Sequence, residues 1–368
     1  MRRRIVRYLV PLALLGLVAA ACSNNNNDNA GGGSTSASGG AAACNSDIKV
    51  GVAFDVGGLG DKSFNDAANT GLQKAIADGL VCEENVVTNE ANATGSDRDQ
   101  NVQALADAGF DLVIGVGFAF SPGINTIAPD YPDTDFMVVD GYATCGTACG
   151  LDNDDLTNVA DYTFKEQEGS FLVGAAAAIK CGCDTIGFLG GQTGPLIEKF
   201  EAGYTAGAKA VNPNIKVLVE YIGDDVTAFN DPVKGEALST KMYDQGAEII
   251  YHASGASGAG LFNAAVKANK LAIGVDSDQY LTASPEQQPL ILTSMIKRVD
   301  TAVYTAIQGV GDGSFEAGGK VFSLADEGLD YSKSNTAELT QDIIDQLEAF
   351  RQQIISGEIV VPENPKDA

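Results

Sequence analysis

The chain has 368 residues, 45% of them hydrophobic, and carries 23 Lys and Arg against 49 Asp and Glu for a net charge of −26. A chain this long exceeds one typical core, so two lobes are expected. So acidic a surface repels nucleic acid and anionic lipid, which excludes nucleic acid as a partner.

The front reads as a secretory signal over residues 1–21. Arg2, Arg3, Arg4 and Arg7 form a basic start, Leu9 to Val18 is a short apolar run, and Ala19, Ala20 and Ala21 lead into Cys22. The run is too short to persist as a membrane-spanning helix. Small residues ending in Cys resemble a bacterial lipobox, with Ala19 where Leu is more usual. Cys22 is therefore expected to become the lipidated first residue. Cleavage removes four Arg and leaves 19 basic residues against 49 acidic ones, a net charge of −30. Residues 23–43, SNNNNDNAGGGSTSASGGAAA, hold almost no large apolar side chain and cannot bury a core. They read as a flexible stalk, within a tether over 22–44. The protein is expected outside the cytoplasm, lipid-anchored to a bacterial cell membrane without crossing it.

From residue 45 on, apolar β-branched runs alternate with helix-like stretches. Expected strands cover 48–54 (IKVGVAF), 85–91 (NVVTNEA), 112–117 (LVIGVG), 136–141 (FMVVDG), 185–191 (TIGFLGG), 216–222 (KVLVEYI), 248–253 (EIIYHA), 271–276 (LAIGVD) and 291–296 (ILTSMI). Amphipathic stretches predict helices over 65–78, 98–108, 167–179, 195–210, 231–245 and 260–268. This alternation signals parallel βαβ units with helices on both sheet faces. The stretch 150–161 reads as polar and irregular. Two doubly wound α/β lobes fit best, and ligands of such sheets bind at the carboxyl ends of the strands.

Six cysteines follow the stalk: Cys44, Cys82, Cys145, Cys149, Cys181 and Cys183. An even number in an exported domain suggests disulfides. Cys44 and Cys82 each precede a strand run, so neighbouring parallel strands would bring them together. Cys145 and Cys149 can close a small ring, and Cys181 and Cys183 form a C-x-C that is strained as an internal pair. A cross-pairing of these two clusters stays open. A four-Cys zinc site fits the spacings poorly, and no metal is expected.

The strand ends carry the candidate site. After the first strand come Asp55 and the loop VGGLGDKSFN, with Phe64 and Asn65. Ser63 reads as the N-cap of the next helix. The loop fails the spacing of a phosphate-binding P-loop. After 112–117 come Phe118, Phe120, Ser121 and Pro122, and a helix after 185–191 carries Phe200. Gly255 opens GASGAG, where backbone can approach a ligand. Asp276 ends the strand 271–276, and Lys297 follows 291–296. Aromatic faces stack on flat rings, and carboxylates with Lys hold hydroxyls, which suits a nucleoside or a sugar-like ligand. The DSD at 276–278 lacks the rest of a calcium loop. His252 is the only histidine, and no G-x-S-x-G accompanies it, so no enzymatic motif stands out.

These motifs resemble the basic membrane protein family of bacterial lipoproteins, which includes purine nucleoside receptors of ABC transporters. The similarity runs from about residue 48 to 362. It is carried by GVAFDVGGLGDKSFNDAA (51–68), DLVIGVGFAFS (111–121), FKEQEGSFLVGAAAA (164–178), GFLGGQTGPLIEKFEAGYTAGAKAVNP (187–213), IGVDSDQ (273–279) and LTSMIKRVD (292–300). The resemblance implies a type I periplasmic-binding-protein fold, with two doubly wound parallel-sheet lobes and a ligand cleft between them. It further implies that a base lies between rings matching Phe64 and Phe200. Asp55, Asn65, Gly255, Asp276 and Lys297 match residues that hold hydroxyls and ring edges, and Ser121 is counted with them. Pro122 stands where the nucleoside receptors carry a carboxylate facing the base. The expected lobes are 45–158 with 277–315, and 159–276 with 316–368. The expected function is capture of a nucleoside for a membrane ABC permease by a monomer that needs no cofactor and catalyses nothing. A sugar- or polyol-binding protein of the same fold, or a sensory or adhesive surface lipoprotein, is the alternative.

Overall fold

The computed structural model describes residues 44–368; the signal segment, Cys22 and the stalk through residue 43 lie outside the described residues. Each of the nine apolar runs forms a strand. Five strands open the described chain: β1 (Val50–Phe54), β2 (Val86–Glu90), β3 (Leu112–Val116), β4 (Asp135–Val139) and β5 (Val159–Phe164). Five more follow: β6 (Thr185–Gln192), β7 (Lys216–Gly223), β8 (Ile249–Ala253), β9 (Leu271–Asp276) and β10 (Ile291–Lys297). Two late strands, β11 (Gly318–Phe322) and β12 (Leu329–Tyr331), complete the set. They form two sheets, ordered β11-β5-β4-β3-β1-β2 and β12-β10-β9-β8-β6-β7. Every pairing is parallel except that of β12 with β10.

Helices cover both faces of each sheet. The long ones are α1 (Phe64–Ala77), α2 (Arg98–Asp107), α3 (Ser121–Ile127), α4 (Glu166–Cys181), α5 (Pro195–Val211), α6 (Pro232–Asp244) and α7 (Gly258–Ala268). A single turn, α8 (Gln279–Thr282), precedes α9 (Val299–Asp312) and α10 (Gln341–Ile355). Side chains alternate along a strand, so one run feeds two cores. Val113, Phe136 and Val138 pack with Val102 and Leu105 of α2 and Ile124 of α3. Their neighbours Leu112, Ile114, Met137 and Val139 enter the opposite core with Leu72 of α1 and Val303 of α9.

The lobes divide differently from expectation. The chain crosses between sheets at Lys165, at Arg298 and through 323–328, where 158/159, 276/277 and 315/316 were expected. Strand β5, in the stretch read as irregular at its start, joins the first sheet beside β4. Strand β11 joins it too, and β10 belongs to the second sheet beside β9, so Lys297 ends a second-lobe strand. An apolar run states that it will be buried but not which of two similar sheets buries it. The three crossovers lie side by side. Lys165 N donates to Phe322 O at 2.9 Å, and Arg298 N donates to Gly328 O at 3.0 Å. The rings of Phe164 and Phe322 stack there, 5.1 Å apart.

The cysteines pair as Cys44–Cys82, Cys145–Cys149 and Cys181–Cys183. The first pair sits at the starts of adjacent strands β1 and β2, as expected. The cross-pairing left open by the spacing does not form.

Candidate functional site

The carboxyl ends of both sheets face one pocket with about 610 Å³ of empty space, its open mouth included. Asp55, Asp61, Phe64, Asn65, Gly117, Phe118 and Asp140 line it from the first lobe. Leu196, Ile197, Phe200, Phe229, Ser254, Gly255, Asp276 and Lys297 line it from the second. Seven of the eight residues expected to bind a ligand therefore meet here: Asp55, Phe64, Asn65, Phe200, Gly255, Asp276 and Lys297.

Ser121 does not. It is fully buried where α3 begins, and its Oγ accepts the Tyr142 N–H at 3.0 Å. The turn at Gly117 spends the strand end four residues earlier, which leaves Phe118 as the residue offered to the pocket. Pro122 is exposed and does not line the pocket either.

The β1–α1 loop is organised by Asp61. Its carboxylate accepts the backbone N–H groups of Ser63, Asn65 and Asp66, and so caps α1 in place of Ser63. It also accepts from Asn65 Nδ2 at 3.0 Å, while Asn65 Oδ1 accepts the Asp55 N–H at 3.1 Å. Ser63 is thereby free for another task. Its Oγ donates across the cleft to Asp276 Oδ2 at 2.5 Å.

Further bonds join the lobes at this rim. Lys62 Nζ donates to Thr282 O at 3.0 Å, and Lys62 O accepts from Ser277 Oγ at 2.9 Å and from Gln279 Nε2 at 3.0 Å. Phe118 and Phe229, one from each lobe, meet edge to face at 6.4 Å. Lys62, Asp140 and Asp276 all have positive φ (55°, 58° and 64°), so strained backbone clusters at the cleft.

Lys297 is the hub. Its side chain is 1% exposed, and Nζ lies 2.6 Å from Asp140 Oδ2 and 3.0 Å from Glu166 Oε1. It is also 5.4 Å from the ring centres of both Phe64 and Phe200, and 4.9 Å from Phe164. Burial opposes the ammonium, yet Asp140, Glu166 and Asp276 outweigh it and hold its pKa above the ordinary lysine value. Burial raises Asp140 to about 6, with Lys297 pulling it back and Glu166 pushing it up. Burial raises Asp276 to about 7, against the pull of Lys297 and the Ser63 bond. Asp140 Oδ1 has no hydrogen-bond partner among the described residues, although it lies in the pocket wall. Gly255 turns with φ 54°, its Cβ position 3.2 Å from Phe229 O, which leaves room for backbone alone.

Asp61, Asp140, Glu166 and Phe229 are not among the residues expected from the sequence. Asp140 ends the run FMVVDG, so the strand-end rule that found Asp276 would have found it too. Glu166 carries no local signal, because only the crossover at Lys165 brings it to Lys297. His252 is a core residue. Burial lowers it to about 4, so the ring is neutral at physiological pH; Gln279 Oε1 lies 2.9 Å from Nε2 and Ser254 Oγ 3.2 Å from Nδ1. Among the described residues no group of His, Cys, Asp and Glu could hold a metal, and no helix is long and apolar enough to cross a membrane.

The family profile of the PnrA-like ABC transporter substrate-binding proteins matches residues 48–365. The CD4+ T-cell-stimulating antigen of Listeria monocytogenes is 33% identical, with 87% of this chain and 90% of the relative covered. The ABC transporter nucleoside-binding protein BmpA of Lactococcus lactis is 31% identical, with 86% and 90% covered. Among solved structures, an ABC transporter solute-binding protein from Aeropyrum pernix superimposes with a TM-score of 0.72 at 29% identity, over 87% of this chain and 95% of that one. The chain belongs to the PnrA-like substrate-binding family. Its members are binding proteins of ABC transporters, not enzymes, and the two-lobed type I binding fold expected from the sequence is the one observed.

Proposed function

From a PnrA-like substrate-binding protein as premise, we propose that this chain captures a nucleoside, a purine nucleoside in the first instance, and delivers it to a membrane permease. One observation carries the reading. Phe64 and Phe200 come from opposite lobes and stand equally far, 5.4 Å, from the buried Lys297 ammonium. Two aromatic faces suit a planar base, and the acceptors Asp140 and Asp276 beside a charged donor suit a diol. The nucleoside-binding relative from Lactococcus lactis supports the same class.

Calorimetry with adenosine, inosine, guanosine and uridine, and with ribose and glucose as controls, tests it. A nucleoside should bind far more tightly than either sugar. Tight binding of a sugar with no response to nucleosides overturns the reading in favour of a polyol carrier.

Outside the cytoplasm the protein is held by lipid on Cys22. Cys22→Ala should release it from the membrane fraction, or block its maturation, while the soluble domain still binds ligand. Unchanged membrane retention and lipidation of that variant refute the anchor.

A further inference from the structure

Arg98 is absent from the pocket wall, yet it is 9% exposed, unusual for a charged side chain. It is the first residue of α2, and three features box it in. Its Nη1 donates to Gly95 O at 3.0 Å, and its guanidinium lies 5.8 Å from the ring centre of Phe120. Gly95 has φ 67°, and a Cβ there would stand 2.2 Å from the guanidinium, so the loop leaves that room to Arg98 alone.

The third feature is Asp55. Arg98 Nε donates to Asp55 Oδ1 at 2.6 Å, and Nη2 approaches the same oxygen as an ion-pair contact. Val56 N also donates to Oδ1, at 2.6 Å. All the bonds given to this carboxylate fall on one oxygen. Asp55 Oδ2 has no hydrogen-bond partner among the described residues, and it lies beside Gly117 of the pocket wall, 3.1 Å from where a Cβ would be. A bidentate fork would have taken both oxygens.

We propose that Arg98 is a positioning residue for the ligand site: from behind the pocket it anchors one oxygen of Asp55 and turns the other toward the ligand. That end of the pocket is then an obligate acceptor, matched by a ligand N–H or O–H. The inference rests on the nucleoside reading for the ligand, though not for the wiring of Asp55. Burial pushes the Asp55 carboxyl up, and Arg98 is the largest influence against it, followed by the Val56 N–H. The other charged groups nearby are Asp61, reached through Asn65; Glu90 at the end of β2, which accepts the Leu59 N–H; and Asp140, Asp276 and Lys297 across the pocket. Among the described residues only Arg98 forms an ion pair with Asp55.

The test compares wild type with Arg98→Met and Arg98→Lys by two readouts. The first is the carboxyl carbon titration of Asp55 by NMR, assigned with Asp55→Asn. The second is adenosine and inosine affinity at about pH 8 and about pH 6, the range that a buried unpaired carboxyl enters. In Arg98→Met, the Asp55 titration should move up. Affinity should fall at the lower pH by about tenfold beyond any wild-type change, since one pKa unit is a factor of ten. Arg98→Lys should keep the wild-type titration and lose affinity equally at both pH values.

An Asp55 titration unmoved in Arg98→Met, or an affinity loss in that variant that is the same at both pH values, overturns the inference. Should Arg98→Met not fold, Arg98→Lys decides: wild-type affinity there shows that the guanidinium fork positions nothing. If wild type binds neither nucleoside, the proposed function fails, while the Asp55 titration still decides the role of Arg98.

Discussion

The two polar ends of the pocket hold similar groups but are wired differently. At one end Asp55, Asp61 and Asn65 are organised with Arg98 by contacts spanning at most 43 residues, all inside the first lobe. At the other, Lys297 meets Asp140 across 157 residues, and Asp276 meets Ser63 across 213. The first end can therefore form within one lobe. The second is complete only when strands of both sheets and the crossovers between them are in place. Its carboxyls are raised to about 6 and about 7 by burial. Ligand capture and lobe closure should thus be felt most at the Lys297 end.

The largest effect is expected from Lys297→Met. It strands Asp140 and Glu166 in the interior, and breaking a buried ion pair costs about 3–5 kcal/mol. Urea unfolding should show that loss, with nucleoside binding abolished. Asp55→Asn should cost much less stability, and equal losses in the two variants would break the comparison.

Next come the rings. Stacking on a base is worth about 1–3 kcal/mol, so Phe64→Ala and Phe200→Ala should each weaken nucleoside binding by about tenfold or more. They should differ in stability. Phe200 is 3% exposed and packed in the core, whereas Phe64 is half-buried. Thermal unfolding should therefore punish Phe200→Ala the more. Wild-type affinity in both variants would make the rings core residues only.

A pH effect of intermediate size separates the ends again. Asp140 and Asp276 have folded-state pKa values above the ordinary 3.8. Their protonated forms favour the fold below about pH 4, and that contribution is lost as pH rises through about 6 and about 7. Asp276→Asn should melt higher than wild type above about pH 7 and match it at acid pH. The same variant should lose affinity for nucleosides more than for the free bases. Superimposable melting profiles across pH would remove Asp276 from this account.

The smallest effect is expected at the rim. Ser277→Ala deletes one bond to Lys62 O, worth about 0.5–1.5 kcal/mol. Affinity should fall by that much or less, through a weaker closed state. A loss as large as that of Phe64→Ala would mean that the rim, not the rings, dominates binding.

The sequence by itself determined the nine main strands, the α/β class, the Cys44–Cys82 pair and seven pocket residues. Strand periodicity is a local signal, and in parallel sheets the carboxyl ends of strands gather by geometry alone. Asp55, Asp276 and Lys297 are visible for that reason. Only the tertiary structure decided which sheet receives β5, β10 and β11, because the sheet a strand joins is set by tertiary pairing that its own sequence does not state. It also decided that Ser121 braces the Tyr142 backbone instead of lining the pocket, and that Asp61 rather than Ser63 caps α1. Glu166 and Arg98 became visible last. Each acts through a partner, Lys297 or Asp55, that only the folded chain brings within hydrogen-bond or ion-pair distance.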